Sequence, residues 1–312
     1  MLFVEFIVLV SLSRIKKIVF MKNVSPEKFR VSSKIILKEE STRFDLKTSE
    51  KKIDKELESV RKKLGKLQDT MYAHGKYAVL VCLQGMDTSG KDSLIREVFK
   101  DFNTRGIVVH SFKVPTELEL KHDYLWRHYL VLPERGKFGV FNRTHYENVL
   151  VTRVHPGYIL SENIPTVNSV EDVNDTFWDK RFEQINNFEN HIVKSGTIIF
   201  KFFLNLSKEE QKNRLLRRLN KQEKNWKFSP GDLKERKLWD AYQSCYEDAI
   251  NRTSTTHAPW YTIPADDKST ARYIVAKIMY DVLRMYTDIQ EPELDDDIKA
   301  NLTLYKQQLE SE

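Results

Sequence analysis

The sequence predicts an α/β fold in which a parallel five-stranded sheet is flanked by helices and carries a helical lid. Three observations support this. Five short segments rich in Val, Ile, Leu and Phe run nearly unbroken in apolar residues, as strands buried on both faces do. Stretches of helical character separate them, and that alternation gives parallel neighbours. The first apolar segment, Tyr77-Ala-Val-Leu-Val-Cys-Leu-Gln84, runs into Gly85-Met-Asp-Thr-Ser-Gly-Lys91, and a helical pattern follows from Asp92 to Phe102.

Taken in order, the chain divides into a polar N-terminal extension over 1–48, a main domain over 49–287 and a helical tail over 288–312. Met1 to Val10 is an apolar run broken by Glu5, and Arg14, Lys16 and Lys17 follow. It is too short and too charged to span a bilayer and lacks the pattern of a secretory signal. Met21 opens a polar stretch that reads as a natural start, so translation is expected to begin there; a weak membrane-surface anchor is the competing reading. N-terminal sequencing of the native protein distinguishes them. Residues 22–50 read as an extended arm. Ile53, Leu57, Val60, Leu64, Leu67 and Met71 recur at helical spacing, which predicts an amphipathic helix over 49–73 that packs on the core or a partner. The remaining strands are expected at 106–113, 137–142, 196–204 and 260–263. No internal repeat or low-complexity segment appears.

The glycine loop between Gln84 and Asp92 is a P-loop, in which backbone N–H groups and a helix N-terminus cradle phosphate while the lysine adds a mobile positive charge. Gly85, Met86, Thr88, Ser89, Gly90 and Lys91 are therefore candidates for phosphate binding. Asp92 stands where Ser or Thr usually follows the lysine. Asp87 lies inside the loop, where a carboxylate is electrostatically awkward unless a cation such as Mg²⁺ neutralises it.

Sites of parallel sheets lie at the carboxyl ends of the strands. That rule places Lys113 and Thr116, Asn142 to His145 and the segment after Leu204 beside the loop. Asn142 occupies the strand end where a P-loop fold expects an acid, Arg143 follows with its two-pronged guanidinium, and Glu147 comes about one helical turn later. Ser207-Lys-Glu-Glu210 forms a capping box for a helix carrying Lys212, Arg214, Arg217 and Arg218. Trp226 to Asp232 then interrupts it, so 207–232 reads as a basic lid that closes over phosphate. His122, with Asp123, Trp126 and Arg127 nearby, is a candidate contact to base, ribose or phosphate.

Composition sets the outer limits. The 312 residues are 40% hydrophobic and 31% charged, with net charge +6 and pI near 9.0, which suits a polyanionic partner without identifying it. Cys82 and Cys245 fall in a predicted strand and helix, so no disulfide scaffold is indicated and a reducing, cytoplasmic setting is expected. Zinc-protease, serine-hydrolase and guanine-reading motifs are missing; Asn220-Lys-Gln-Glu223 lacks the required aspartate.

Together, Gly85-Met-Asp-Thr-Ser-Gly-Lys-Asp92, Ser111-Phe-Lys-Val-Pro-Thr116, His122-Asp-Tyr-Leu-Trp-Arg127, Phe141-Asn-Arg-Thr-His-Tyr-Glu147 and Ala258-Pro-Trp-Tyr-Thr-Ile-Pro-Ala-Asp266 closely resemble the polyphosphate kinase 2 family, from about residue 45 to 287. The resemblance implies a thymidylate-kinase-like P-loop core with a helical lid. It also implies transfer of phosphate between inorganic polyphosphate and nucleoside mono- or diphosphates (ADP, AMP, ATP), with Mg²⁺ or Mn²⁺, in a homodimer or homotetramer. No nucleic-acid partner and no stable membrane insertion are expected. The Asn142-Arg143 form resembles the subgroup that accepts both AMP and ADP. Ser93 stands where many relatives have Gly, and Asn148 replaces an acid often found after the Glu. On this reading Asp87 and Glu147 hold metal, Lys91 and the loop hold the transferred phosphates, Arg143 binds near the reacting phosphoryl, and Arg214 and Arg218 close from the lid. The rivals are an ATP-dependent nucleotide or small-metabolite kinase on the same fold, and a non-catalytic nucleotide-binding module signalling through the 53–71 helix. The outer helix of the acidic tail is expected to pack on a neighbour.

Overall fold

The computed structural model describes residues 21–312; the expectation about residues 1–20 lies outside them. Five parallel strands form one sheet: β1 Ala78–Gln84, β2 Ile107–Ser111, β3 Phe138–Asn142, β4 Thr197–Asn205 and β5 Trp260–Pro264. Their order is β2-β3-β1-β4-β5, so β1, with the loop that follows it, lies at the centre. The helices are α1 Glu50–His74, α2 Lys91–Val98, α3 Glu117–Leu120, α4 Trp126–Tyr129, α5 Glu147–Val154, α6 Asp175–Lys194, α7 Lys208–Asn220, α8 Pro230–Lys237, α9 Trp239–Thr253, α10 Lys268–Leu283 and α11 Asp296–Glu310. Short 3₁₀ turns fill several connections, including Pro156–Glu162 and Gln222–Lys227.

Both faces of the sheet are covered, which explains the unbroken apolar runs. On one face α1, α2 and α10 pack over Val79, Val81, Phe200 and Phe202; on the other, α5, α6 and α9 pack through Val149, Phe182 and Tyr246. Ile53, Leu57, Val60, Leu64 and Met71 of α1 are buried, and Leu67 packs beside them. Each such side chain contributes about 1.5–3 kcal/mol of hydrophobic stabilisation. α1 ends at Gly75, whose backbone takes the left-handed φ of 66° and donates its N–H to Met71 O.

The arm is more deeply built in than its polarity suggests. Val24, Phe29, Val31, Leu37 and Leu46 are buried. Val31 N–H donates to Trp260 O and Thr262 N–H to Phe29 O, closing an antiparallel bridge between Arg30 and Tyr261. The arm thereby covers the β5 edge, which would otherwise offer unpaired backbone groups. α11 buries none of its residues and exposes Ile298, Leu302, Tyr305 and Leu309. Among the described residues no helix is long and apolar enough to cross a membrane.

Candidate active site

The loop after β1 takes its shape from its glycines. Gly85 has φ 152°, and a Cβ there would lie 2.9 Å from Ser89 Oγ and 3.0 Å from Leu204 O. Gly90 has φ 108° at the start of α2. Thr88 adopts φ 65° without being glycine, the kind of local strain that collects at functional sites. Met86 is buried in the core and anchors the loop, and Ser89 N–H donates to Met86 O. Lys91 Nζ donates to Gly85 O at 2.6 Å, which places the ammonium within the curl of the loop. Burial lowers its pKa to about 8; Arg143 adds to the shift, and Asp87, Glu147 and Asp92 oppose it.

Arg143 follows β3 and also has a left-handed backbone, φ 60°. That turn aims its guanidinium back at the loop. Nη2 donates to Asp87 Oδ1 at 3.0 Å and Nη1 to Glu147 Oε2 at 3.2 Å, so one cation joins the two carboxylates. Glu147 first, and Asp87 as well, hold the guanidinium pKa above its ordinary range against the opposing effect of burial. Asn142 turns elsewhere: its Nδ2 donates to Asp92 Oδ1 at 2.7 Å and to Ser111 Oγ at 3.3 Å. Asn148 Nδ2 donates to His145 O, and Ser93 Oγ to Gly90 O.

The lid helix departs from expectation in two ways. The reciprocal capping box is only half formed: Ser207 Oγ accepts from Glu210 N–H, but the Glu210 carboxylate accepts from Arg214 Nε instead. Arg214 is not a free lid cation. Its Nη1 donates to Thr88 O and Ser89 O, and its Nη2 to Ala265 O and Asp266 O. All five N–H donors are thus engaged, and the buried guanidinium fastens the phosphate loop to the end of β5. Gln211 Nε2 adds a bond to Asp87 O. Arg218 bridges the lid itself, through Lys227 O and Asp232 Oδ2. Burial and the nearby Asp87 charge raise the Asp232 carboxyl.

Two cavities meet at this centre. One, of about 430 Å³, is lined by the loop, Asn142 and nine cationic side chains: Lys91, Lys113, Arg143, Arg214, Arg217, Arg218, Lys224, Lys227 and Lys268. Only Asp87 and Asp92 oppose them there, so the lining is strongly positive, as a polyanion would require. The other, of about 540 Å³, has mainly apolar walls that include Val114, Leu120, Tyr124, Val151 and Tyr158. Phe112, Lys113 and Arg143 belong to both. His122 lines the apolar cavity, stacked on Trp126 with ring centroids 3.9 Å apart. Thr116 lines neither cavity; its hydroxyl caps α3 in a box with Glu119. Lys268 escaped the sequence reading although the strand-end rule points to it, since it opens α10 just beyond β5.

A model of the family described as Polyphosphate kinase 2 (PPK2) matches residues 47–291. An ADP-polyphosphate phosphotransferase of Rhodopseudomonas palustris is 45% identical over 79% of this chain and 84% of its own length. An AMP/ADP-polyphosphate phosphotransferase of Meiothermus ruber is 46% identical over 72% and 78%. The crystal structure of polyphosphate kinase 2 from Arthrobacter aurescens superposes with a TM-score of 0.83 at 34% identity, covering 93% of this chain and 100% of that one. With a family match over most of its length and a shared fold, the chain belongs to the polyphosphate kinase 2 family.

Proposed function

We propose that the chain moves the terminal phosphate of inorganic polyphosphate onto ADP or AMP, forming ATP or ADP, in a reversible in-line transfer. The observation that carries this is the junction of the two cavities at Arg143 and Lys113. A polyanion in the basic cavity and a nucleoside in the apolar one would bring donor and acceptor phosphates together at that shared wall. Phosphoryl transfer asks the protein for alignment and charge neutralisation more than for covalent chemistry. Lys91 and the loop N–H groups would hold the donor end, and Arg143 the transferring group. Arg217, Arg218, Lys224, Lys227 and Lys268 would hold the chain behind it. Arg214 would act indirectly, by fixing the loop.

The residues present fit a divalent cation. Asp87 and Glu147 already converge on one cation, the Arg143 guanidinium. No group of three or more His, Cys, Asp or Glu gathers in metal-binding geometry among the described residues. Two carboxylates supplemented by phosphate oxygens suit an oxygen-seeking ion such as Mg²⁺ or Mn²⁺. When bound, such an ion would neutralise phosphate charge. Asp87 and Glu147 would hold it. Two or four copies of the chain per assembly, which the family resemblance implies, are measured by light scattering.

The test is ATP formation from purified protein, long-chain polyphosphate and Mg²⁺, with ADP and AMP supplied separately. ATP from ADP, and ADP followed by ATP from AMP, is the expected result. Silence with polyphosphate but transfer from ATP overturns it in favour of an ordinary nucleotide kinase.

A further inference from the structure

Behind the turn that carries Arg143 and Glu147 lies a set of polar side chains that the transfer itself does not use. Glu189 of α6, Lys201 of β4, Thr253 at the end of α9, and His145 and Tyr146 of the turn all have no exposed surface. Glu189 Oε2 accepts from Lys201 Nζ at 2.6 Å. Its Oε1 accepts from Tyr146 OH at 2.7 Å and lies 3.1 Å from His145 Nε2. Lys201 Nζ also donates to Tyr146 OH at 2.9 Å and to Thr253 O at 2.7 Å, which uses all three ammonium donors. Thr144 Oγ1, one residue earlier, accepts from Gln84 Nε2 and from Tyr146 N–H.

Three consecutive residues of the turn, 144 to 146, are therefore gripped from β1, β4 and α6, and the two residues flanking them are Arg143 and Glu147. A buried ion pair seldom stabilises a fold more than an apolar pair of the same size, so stability alone is a poor reason for this one. What it does supply is a fixed frame. Arg143 sits in a strained left-handed backbone, which persists only where the surroundings over-determine it. Glu147 begins α5 directly after the gripped residues.

We infer that Glu189 and Lys201 are positioning residues, which hold the turn so that Arg143 and Glu147 face the phosphate loop. The inference rests on the proposed phosphotransferase reading for its effect on turnover, but not for its effect on metal binding. Neither side chain lines either cavity. Their loss should therefore act on the geometry of transfer and leave the polyphosphate track of Arg217, Lys224, Lys227 and Lys268 intact.

The test replaces the pair by apolar residues of similar size, Glu189→Leu with Lys201→Met, in the full chain. Two readouts are taken: steady-state kinetics, and Mn²⁺ binding by electron paramagnetic resonance without nucleotide or polyphosphate. A double variant that still melts cooperatively is expected to lose about 10²-fold in kcat, with KM for polyphosphate within about three-fold. Its Mn²⁺ affinity is expected to fall by about 10-fold, as when an outer partner of a metal ligand is removed. Glu189→Gln with Lys201→Met, which keeps an oxygen toward His145 and Tyr146 and strands no buried ammonium, should recover part of both. A folded double variant with wild-type kcat and Mn²⁺ affinity overturns the inference. If the double variant does not fold, Tyr146→Phe decides: it removes one hydroxyl from the grip, and unchanged kcat and Mn²⁺ binding overturn the inference equally. Should the wild type make no ATP from polyphosphate, the functional reading falls, and the Mn²⁺ measurement still judges the positioning role.

Discussion

Replacing Arg143 by alanine removes the cation on which the site's two carboxylates converge. Asp87 Oδ1 and Glu147 Oε2 lie 3.0 and 3.2 Å from different guanidinium nitrogens. The Arg143 side chain is 43% exposed and its partners 29% and 23%, so water screens both pairs. Each pair is then worth about 0.5–1 kcal/mol, and the fold should lose about 1–2 kcal/mol in all. That amounts to a drop of a few degrees in Tm. Catalysis should suffer more: losing a preorganised positive group at a reacting phosphoryl costs about 10²–10³-fold in kcat, or roughly 2.7–4 kcal/mol. The two losses respond differently to metal. On the proposed reading a divalent cation held by Asp87 and Glu147 would take the place of the guanidinium, so Mn²⁺ should restore most of the variant's lost Tm. In the wild type the ion would first have to displace Arg143, so the Tm gain should be smaller. A luciferase-coupled ATP assay at saturating polyphosphate and ADP gives kcat, and scanning calorimetry with and without Mn²⁺ gives the stability arm. A folded Arg143→Ala variant whose kcat stays within about three-fold of wild type refutes the catalytic assignment. Equal Mn²⁺ responses in the two proteins refute the shared-cation argument.

The basic cavity leads to further tests. Lys268 has its pKa lowered to about 8, by burial first and then by Arg214, Arg217, Arg272 and Lys224. Polyphosphate affinity should therefore weaken as pH rises through about 8, and Lys268→Met should flatten that limb of the KM profile without abolishing it, because Lys91 titrates in the same range. An identical profile in the variant defeats the assignment. The stability sign is opposite: the unfolded chain keeps this proton up to about 10.5, so Lys268's contribution to folding grows between about 8 and 10.5, which denaturant titrations at the two ends of that window measure. Added KCl should raise KM for polyphosphate more than KM for ADP, since the former depends on a partly exposed array of charge; equal slopes contradict it. Gly65→Ala tests the packing of α1. Alanine normally stabilises a helix interior by about 1 kcal/mol over glycine, but here its Cβ would lie 2.4 Å from Asp101 O, against backbone that cannot swing aside. A loss of about 1–3 kcal/mol is expected from urea unfolding, and any gain in stability disproves the clash.

The strands are legible in the sequence because burial on both faces leaves an uninterrupted apolar run, and their observed limits differ from expectation by one or two residues. β1 covers Ala78–Gln84 where Tyr77–Gln84 is expected. β2 is the least legible: its pattern reads on to Lys113, but the strand stops at Ser111, and its central Val108 and Val109 are exposed because it is an edge strand. The arm escapes for a related reason. Val24, Phe29, Val31, Leu37 and Leu46 are buried at irregular intervals, and an irregular interval leaves no period to detect.

Within the site, the residue types are legible and their employment is not, because a cation's role depends on partners far away in the chain. Lys201, Arg214 and Lys268 look alike as letters. Lys201 interrupts an apolar strand and spends its three donors on Glu189, Tyr146 and Thr253. Arg214 shares a helix face with Arg218, yet its guanidinium is consumed by Glu210 and four backbone carbonyls, contributed by the phosphate loop and the end of β5. Lys268 has no hydrogen-bond or ion-pair partner among the described residues, although it is half-buried among other cations. Helical spacing locates such residues but cannot count their acceptors, since those lie on other elements. The count separates the roles. A buried cation with every donor engaged holds the protein together, whereas one that suffers burial and like-charge repulsion with no acceptor of its own leaves its donors for an anion the protein does not supply. By that criterion the proposed phosphate chain would lie against Lys268, while Arg214 and Lys201 would serve the frame for its transfer.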